Sequence, residues 1–171
     1  FIAAAESFRI PTALIFNKSD IFKDELQEVQ TAYLDIYEPL GYSCYAVSAI
    51  TGDGITDLKN AFHAKVNLLA GHSGVGKSSL INALEPGLKL KTGDISRQHL
   101  KGKHTTTFAE MHPLSTGGYI IDTPGIREFV NIDFKPTEIG HYFIEIRALM
   151  NQCQYNNCLH DNEKDCAVKK A

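Results

Sequence analysis

Short apolar runs that end in polar or glycine-rich turns recur along this chain. The segments PTALIFNKSD (residues 11–20), SCYAVSA (43–49) and KVNLLAG (65–71) each have this form. Continuous apolar runs of this length are typical of buried parallel strands, whose carboxyl ends deliver the following turn to one edge of a sheet. A helical pattern follows each run. The alternation therefore predicts an α/β fold, with a mostly parallel sheet and helices on both faces.

An amphipathic helix is predicted between the first two strands. Apolar residues recur there at spacings of three and four: Phe22, Leu26, Val29, Tyr33 and Ile36. This spacing places them on one face of a helix, which we expect to cover one side of the sheet. A second helix, capped by Thr56 or Asp57, is predicted within residues 52–64, and a third begins at KSSLINAL.

The second half of the chain contains a predicted hairpin and a helical end. Two strand-like runs within residues 108–125 are joined through residues 115–118, which include two glycines. The pattern TEIGHYFIEIRALM is helical and leads into a group of cysteines. We therefore expect a main domain over residues 1–130 and a small second region over residues 131–171.

Composition limits the possible settings and partners. The 171 residues are 43% hydrophobic and 22% charged, and the formal net charge is -3. This suits one compact domain with a small appendage, and no overall positive field draws the chain to nucleic acid. We find no run of eighteen apolar residues and no signal-peptide pattern, and the chain begins at Phe1 without methionine. We expect a soluble, monomeric, cytoplasmic fragment with no membrane partner.

The segment GHSGVGKSS matches the Walker A pattern, because four residues separate Gly71 from Gly76, Lys77 and Ser78. Glycines let backbone N–H groups turn inward to hold phosphates, Lys77 can reach the β- and γ-phosphates, and the Ser78 hydroxyl can bind Mg²⁺. This motif does not choose between ATP and GTP. The candidate nucleotide-binding residues in it are Gly71, His72, Ser73, Gly74, Val75, Gly76, Lys77, Ser78 and Ser79.

The segment NKSD favours guanine. The carboxylate of Asp20 can accept from both the ring N–H and the exocyclic amine of guanine, while Asn17 and the stem of Lys18 hold the pocket. Adenine lacks this pair of donors, so a site built for them discriminates by about 10⁴-fold. The turn at Ser48 and Ala49 follows another predicted strand and can aim a backbone N–H at guanine O6. As a lone tetrapeptide, NKSD is also compatible with a simple helix cap.

The segment IIDTPGIREF has the form of a Walker B strand and a second switch. Asp122 can hold Mg²⁺ through water, and the Gly125 N–H can sense the γ-phosphate. Ile126 stands where Ras-like enzymes have a glutamine that orients water, so slow intrinsic hydrolysis is expected. We predict catalytic roles for Lys77 and Asp122.

The segment KGKHTTT is a candidate first switch. In it, Thr106 or Thr107 ligates Mg²⁺ together with Ser78 and Asp122 when the γ-phosphate is present. His104 is a third candidate catalytic residue, because its ring can position water. A solvated loop histidine is an equally good interpretation of His104.

These motifs occur in an unusual order, since the guanine-reading segments precede the phosphate loop and the switches come last. A parallel sheet can present the same loops at one edge from a rotated chain order. The order therefore predicts a circularly permuted P-loop GTPase fold.

A group of potential metal ligands lies near the end of the chain: Cys153, Cys158, His160 and Cys166. Three thiolates and one imidazole make a closed tetrahedral zinc set. From spacing alone, zinc is favoured over reduced surface thiols, and a disulfide framework is the weaker alternative.

The chain resembles the RsgA (YjeQ) family of circularly permuted, ribosome-small-subunit-dependent GTPases. The resemblance depends on NKSD, VSA, GHSGVGKSSLINAL, KGKHTTT, IDTPGIREF and the pattern Cys-x4-Cys-x-His-x5-Cys, in that order over residues 14–166. It implies GTP and GDP binding with Mg²⁺, one structural zinc, contact with rRNA and ribosome-stimulated hydrolysis late in small-subunit maturation. It also implies an amino-terminal OB-fold domain, which is absent from this sequence.

Two other functions remain open at this point. One is a nucleotide-gated binding module for rRNA or protein that hydrolyses little, and the other is a zinc-stabilised RNA-binding module with a vestigial GTPase site. Intact Lys77, Ser78 and Asp122 argue against the second.

Overall fold

The computed structural model describes residues 1–22, 25–90, 110–122 and 134–171. The strands are β1 (Ala13–Asn17), β2 (Ser43–Val47), β3 (Lys65–Leu69), β4 (Glu110–Pro113) and β5 (Gly118–Asp122). The helices are α1 (Ile2–Ser7), α2 (Glu25–Tyr37), α3 (Ile55–Phe62), α4 (Lys77–Leu84), α5 (Pro136–Ile139), α6 (Ile144–Leu149) and α7 (Ala167–Lys170). Short 3₁₀ turns span Ser19–Ile21, Gly140–Tyr142 and Met150–Gln152.

The described strands form two sheets. β1 pairs in parallel with β2, and a second sheet has the order β3-β5-β4. Within the second sheet β3 and β5 are parallel, whereas β4 and β5 form the predicted antiparallel hairpin. Because β1, β2, β3 and β5 each precede a motif, their carboxyl ends determine where the motifs lie.

The main core lies where α3 and α4 pack against β2, β3 and β5. Leu58 and Ile81 are fully buried in it and so is Ile120 of β5. Replacing a fully buried leucine by alanine typically costs about 2 to 5 kcal/mol of stability. This cluster holds the two glycine-rich turns in place, since one lies before α3 and the other before α4.

The apolar face predicted for α2 does not cover the sheet. Leu26, Val29 and Ile36 are each half exposed or more. Tyr33 is 47% exposed, although its ring lies 6.2 Å from that of Phe16 on β1. A different side of the helix is turned inward and contains Gln30, Leu34 and Tyr37. The two-stranded β1-β2 sheet offers a narrow surface, and α2 lies on it with this shifted face.

The predicted side-chain cap of α3 is wrong. The residue before the helix is Gly54, in the left-handed region with φ +69°, and no side chain caps the turn. A Cβ on Gly54 would lie 2.3 Å from the carbonyl oxygen of Ala46. Glycine is therefore required because the turn passes directly over the backbone of β2.

The carboxyl-terminal region packs against the first helix of the chain. The guanidinium of Arg147 on α6 lies 3.4 Å from a carboxylate oxygen of Glu6 on α1. The Tyr42 hydroxyl donates to the Glu6 carboxylate at 3.3 Å. Burial, which is the larger cause, and the charge of Glu6, which is the second, raise the pKa of Tyr42 to about 12.

The predicted domain boundary at residues 130–131 lies outside the described residues. Within them, no helix has the length and apolar character needed to cross a membrane.

Candidate nucleotide site and metal centre

The glycine-rich loop between β3 and α4 has a conformation that only glycine adopts readily. Gly76, which precedes α4, has φ +93°, and a Cβ there would lie 2.4 Å from the amide nitrogen of Asn17. Left-handed conformation costs other residues about 1 to 2 kcal/mol. The loop thus depends on glycine both for its backbone and for the close approach of Asn17.

Asn17 connects the loop with the turn that follows β2. Its side-chain nitrogen donates to the carbonyl of Val75 at 3.0 Å, and its oxygen accepts from the backbone N–H of Ala49 at 3.3 Å. One amide therefore holds together three segments that are far apart in the sequence. The predicted guanine-reading residues and the predicted phosphate loop lie at one site.

Two lysines place their ammonium groups on the loop. Lys18 Nζ donates to the carbonyl of Gly74 at 2.8 Å. Lys77 Nζ donates to the carbonyls of Gly71 at 2.6 Å and His72 at 3.0 Å. With the amino end of α4 beginning at Lys77, these charges give the loop the electrostatic character of an anion site.

Asp20 and Ser48 form a short hydrogen bond on the guanine side. The Ser48 hydroxyl donates to Asp20 Oδ1 at 2.5 Å. The same hydroxyl oxygen accepts from the backbone N–H groups of Ile50 at 3.3 Å and Thr51 at 3.1 Å. Because Ser48 is fully buried, its hydroxyl fixes the position of the Asp20 carboxylate.

Two of the predicted magnesium ligands, Ser78 and Asp122, lie at the same edge of the second sheet. Asp122 ends β5 and is register-paired with Leu69, the last residue of β3 before the glycine-rich loop. Ser78 is the second residue of α4, directly after that loop. Four further predicted site residues lie outside the described part of the chain: His104, Thr106, Thr107 and Gly125.

The four predicted metal ligands converge at the carboxyl end. Their donor atoms all lie within 4.8 Å of one another: Cys153, Cys158, His160 and Cys166. The sulfur of Cys153 is 3.6 Å from His160 Nδ1 and 4.0 Å from the sulfur of Cys166. His160 Nδ1 is 3.4 Å from the Cys166 sulfur.

The three donor–donor distances of 3.4, 3.6 and 4.0 Å are close to those around a tetrahedral zinc ion. With Zn–S bonds of about 2.3 Å and Zn–N bonds of about 2.0 Å, the edges of a tetrahedron are about 3.5 to 3.8 Å. Cys166 is 2% exposed, so the set is closed on one side by protein. Four protein donors leave no open position, which is typical of structural rather than catalytic zinc.

Two residues that sequence patterns did not indicate position His160. The carboxylate of Glu163 accepts from the backbone N–H groups of Leu159 at 2.8 Å and Asp161 at 3.0 Å. These donors hold the pKa of Glu163 below its usual range. Leu159 and Asp161 flank His160, whose backbone has φ +62°. Gly140 lies beside the His160 ring, since a Cβ there would be in van der Waals contact at 3.4 Å from Cδ2. Glu163 lies only three residues after His160, and this short spacing is the sequence signal that could have indicated its role.

Comparison with known proteins assigns the family. The model of the RsgA GTPase family matches residues 1–131. The small ribosomal subunit biogenesis GTPase RsgA of Bacteroides fragilis (strain YCH46) is 48% identical over 171 residues, which is 100% of this chain and 55% of that protein. The protein of the same name from Flavobacterium psychrophilum is 50% identical over 171 residues, which is 52% of its length.

Two solved structures share the fold. YjeQ from Thermotoga maritima superposes with a TM-score of 0.84 and 37% identity, over 100% of this chain and 56% of that one. YloQ, described as a circularly permuted GTPase, superposes with a TM-score of 0.75 and 31% identity, over 100% of this chain and 53% of that one. The chain thus spans about half the length of its relatives, and the predicted circularly permuted fold is confirmed. Since the family model covers most of its residues, the chain belongs to the RsgA GTPase family.

Proposed function

We propose that this chain contains the nucleotide site of a GTPase that acts in late maturation of the small ribosomal subunit. The observation that supports this best is the position of Asn17, which contacts the glycine-rich loop at Val75 and the following turn at Ala49. A helix-capping tetrapeptide has no reason to bridge those segments. A guanine nucleotide site requires base-reading and phosphate-binding loops to meet in this way.

Selectivity for guanine comes from Asp20. Its carboxylate accepts from the ring N–H and exocyclic amine of guanine, and the hydrogen bond from Ser48 keeps it oriented for this role. Asn17 and Lys18 hold the loop beside the base through Val75 and Gly74. Adenine leaves the carboxylate unpaired, which disfavours ATP.

The phosphates bind the glycine-rich loop and Lys77. In the structure the Lys77 ammonium donates to carbonyls of that same loop, so it exchanges these partners for phosphate oxygens when nucleotide binds. The residues proposed to hold Mg²⁺ are Ser78 and Asp122, with Thr106 or Thr107 added in the GTP state. Bound Mg²⁺ neutralises charge on the phosphates during hydrolysis.

Hydrolysis by the chain alone is slow in this proposal, because Ile126 has no polar atom to orient water. His104 is the proposed water-positioning residue. Relatives are named small ribosomal subunit biogenesis GTPases, and we propose that this subunit and its rRNA stimulate turnover. Because this role concerns the ribosome, we also propose that the protein acts in the cytoplasm.

The cluster at the carboxyl end binds one structural zinc. Its ligands are Cys153, Cys158, His160 and Cys166, whose donor spacing suits a tetrahedral ion. Zinc then supplies stability to a region whose described helices, within residues 134–171, have no more than six residues each. We propose residues 131–171 as this zinc-binding region and residues 1–130 as the GTPase domain.

The decisive measurement is GTP turnover by the longer natural protein with and without purified small ribosomal subunits. Lys77→Ala serves as the inactive variant, and Lys135→Ala, which removes an exposed lysine of the zinc region, serves as the matched control. We expect the subunits to increase turnover by the unmodified protein and by Lys135→Ala only.

A different result selects the alternative. GTP binding without stimulated turnover would leave a nucleotide-gated binding module. No binding of GTP would contradict the nucleotide site itself.

A further inference from the structure

The side chain of Asn82 on α4 binds both backbone polar groups of one residue outside the helix. Its nitrogen donates to the carbonyl of Leu90 at 2.8 Å, and its oxygen accepts from the Leu90 N–H at 2.7 Å. Leu90 lies eight positions further along the chain, beyond the end of α4 at Leu84. Because asparagine is a weak helix former, its place in this helix is better explained by the contact with Leu90 than by helix propensity.

Asn82 also lies close to the proposed magnesium side of the nucleotide site. Ser78, a proposed magnesium ligand, is the second residue of α4, and Asn82 follows it by four positions. Residues with this spacing lie on the same helix face, one turn apart. Asn82 therefore holds the backbone of Leu90 against the face of α4 that carries Ser78.

Further contacts fix the short segment that leads to Leu90. The side chains of Leu88 and Leu90 pack against the main core, and the Leu88 N–H donates to the Glu85 carbonyl at 3.1 Å. Lys89 between them has φ +49°, in the left-handed region that residues other than glycine rarely adopt. Such a conformation persists only where the surrounding contacts determine it. The position of Leu90 is thus set by the core and by Asn82 together, although Lys89 is strained.

The sequence that follows Leu90 contains the candidate first switch. The segment KGKHTTT, residues 101–107, includes Thr106 and Thr107, one of which is proposed to bind Mg²⁺ in the GTP state. A residue that becomes ordered on binding loses conformational entropy, and each such residue lowers the binding constant by about tenfold. A chain that is held at Leu90 before nucleotide binds has fewer residues to order. This advantage applies to the GTP state alone, since no threonine has to reach the ion in the GDP state.

We propose that Asn82 is a positioning residue that favours the GTP state over the GDP state. It fixes Leu90 in advance and so reduces the entropy that is lost when the switch threonine binds Mg²⁺. This inference rests on the proposed function and adds to it a residue that governs the response to the γ-phosphate. Both hydrogen-bonding groups of its side chain bind Leu90, so Asn82 acts through this residue and not as a ligand of the ion.

Nucleotide affinities of the longer natural protein and of its Asn82→Ala variant test this role. They are measured for GDP and for a non-hydrolysable GTP analogue, each with Mg²⁺ and with a chelator in its place. With Mg²⁺ we expect Asn82→Ala to bind the analogue about tenfold more weakly and GDP with unchanged affinity. Without Mg²⁺ the two proteins should not differ, because the switch threonine then has no ion to bind.

Two further variants complete the comparison. Asn82→Asp keeps the acceptor for the Leu90 N–H but loses the donor to the Leu90 carbonyl, so it should show a loss in the same direction. Asn60→Ala, which removes an exposed asparagine of α3, is the matched control and should behave as the natural protein does.

Equal weakening of both nucleotides, or weakening that persists without Mg²⁺, would show a merely structural role and overturn the proposal. So would an unchanged analogue affinity in Asn82→Ala. Natural protein that binds neither nucleotide would instead contradict the proposed function itself. Amide hydrogen exchange at Leu90 in the natural protein keeps the test decisive if neither Asn82 variant folds. We expect this amide to be protected with GDP and with the analogue alike, and rapid exchange in the GDP state would show that Leu90 is not fixed in advance.

Discussion

Asn17 and Gly76 lie so close together that the loop has no space for a side chain at position 76. The amide nitrogen of Asn17 would be 2.4 Å from a Cβ there, and it donates to the neighbouring carbonyl of Val75 at 3.0 Å. The segments proposed to read the base and to bind phosphate are thus in contact through the backbone of the loop. A substitution at Asn17 or at Gly76 is therefore expected to affect both segments.

Gly76→Ala tests that contact. Left-handed φ costs alanine about 1 to 2 kcal/mol, and Asn17 must also move, so we expect the melting temperature to fall by about 2 to 8 °C with weaker GTP binding. Thermal unfolding and nucleotide titration measure the two effects. Gly87→Ala is the control, because nothing lies within 4 Å of a Cβ there. Equal behaviour of the two variants would contradict the role given to Gly76.

Asp20→Asn should change the base that is bound. An amide can donate to the oxygen that xanthine has in place of the guanine amine, whereas it no longer accepts both guanine donors. We expect GTP affinity to fall by about two to four orders of magnitude and xanthosine triphosphate affinity to rise. Competition with a fluorescent nucleotide measures both. Asp35→Asn, on the exposed side of α2, should change neither affinity. Retained GTP preference in Asp20→Asn would remove the carboxylate from the base site.

Tyr42 should make stability depend on pH in the alkaline range. Its pKa is raised from 10.0 to about 12 in the folded protein, chiefly by burial and then by Glu6. The folded state therefore favours the protonated phenol. This contribution is fully present below pH 10 and is lost as the pH rises towards 12. Denaturant unfolding of the natural chain and Tyr42→Phe between pH 8 and 11.5 should show a steeper alkaline loss for the natural chain. Parallel curves would contradict this assignment.

Removal of metal should affect the carboxyl-terminal region first. We expect one zinc per chain by elemental analysis, and chelation should release it with loss of amide protection in residues 134–171. Cys166→Ser should bind far less zinc, because the buried ligand is lost. Cys44→Ser, a cysteine on β2 outside the cluster, should keep full zinc content. Full zinc content in Cys166→Ser would exclude this sulfur from the site.

Glu163→Gln should weaken metal binding without removing a ligand. The carboxylate accepts from N–H groups on both sides of His160, and loss of its charge weakens both hydrogen bonds. Partners of this kind typically contribute about 10- to 100-fold in metal affinity. Competition with a zinc chelator measures the change. Glu138→Gln, whose carboxylate faces exposed Lys135, should retain the natural affinity. An unchanged affinity in Glu163→Gln would show that His160 is held by other contacts.

The sequence determined the local features of this protein. Apolar runs that end in glycine-rich or polar turns predicted β1, β2 and β3, and the paired glycines predicted the β4-β5 hairpin. These predictions succeed because strand ends and tight turns depend on neighbouring residues, above all on glycine's access to positive φ. The order of the motifs predicted the permuted fold, because each motif is a contiguous segment that can be recognised in the sequence itself.

Tertiary structure alone decided which groups meet and which faces are buried. The inward side of α2 is Gln30, Leu34 and Tyr37 rather than its most apolar side, because packing on a narrow sheet overrides periodicity. The contact of Asn17 with Val75 joins residues 58 positions apart, and the contact of Glu6 with Arg147 spans 141 positions. Such contacts leave no local pattern, since they arise only when separate segments reach the same place in the folded chain.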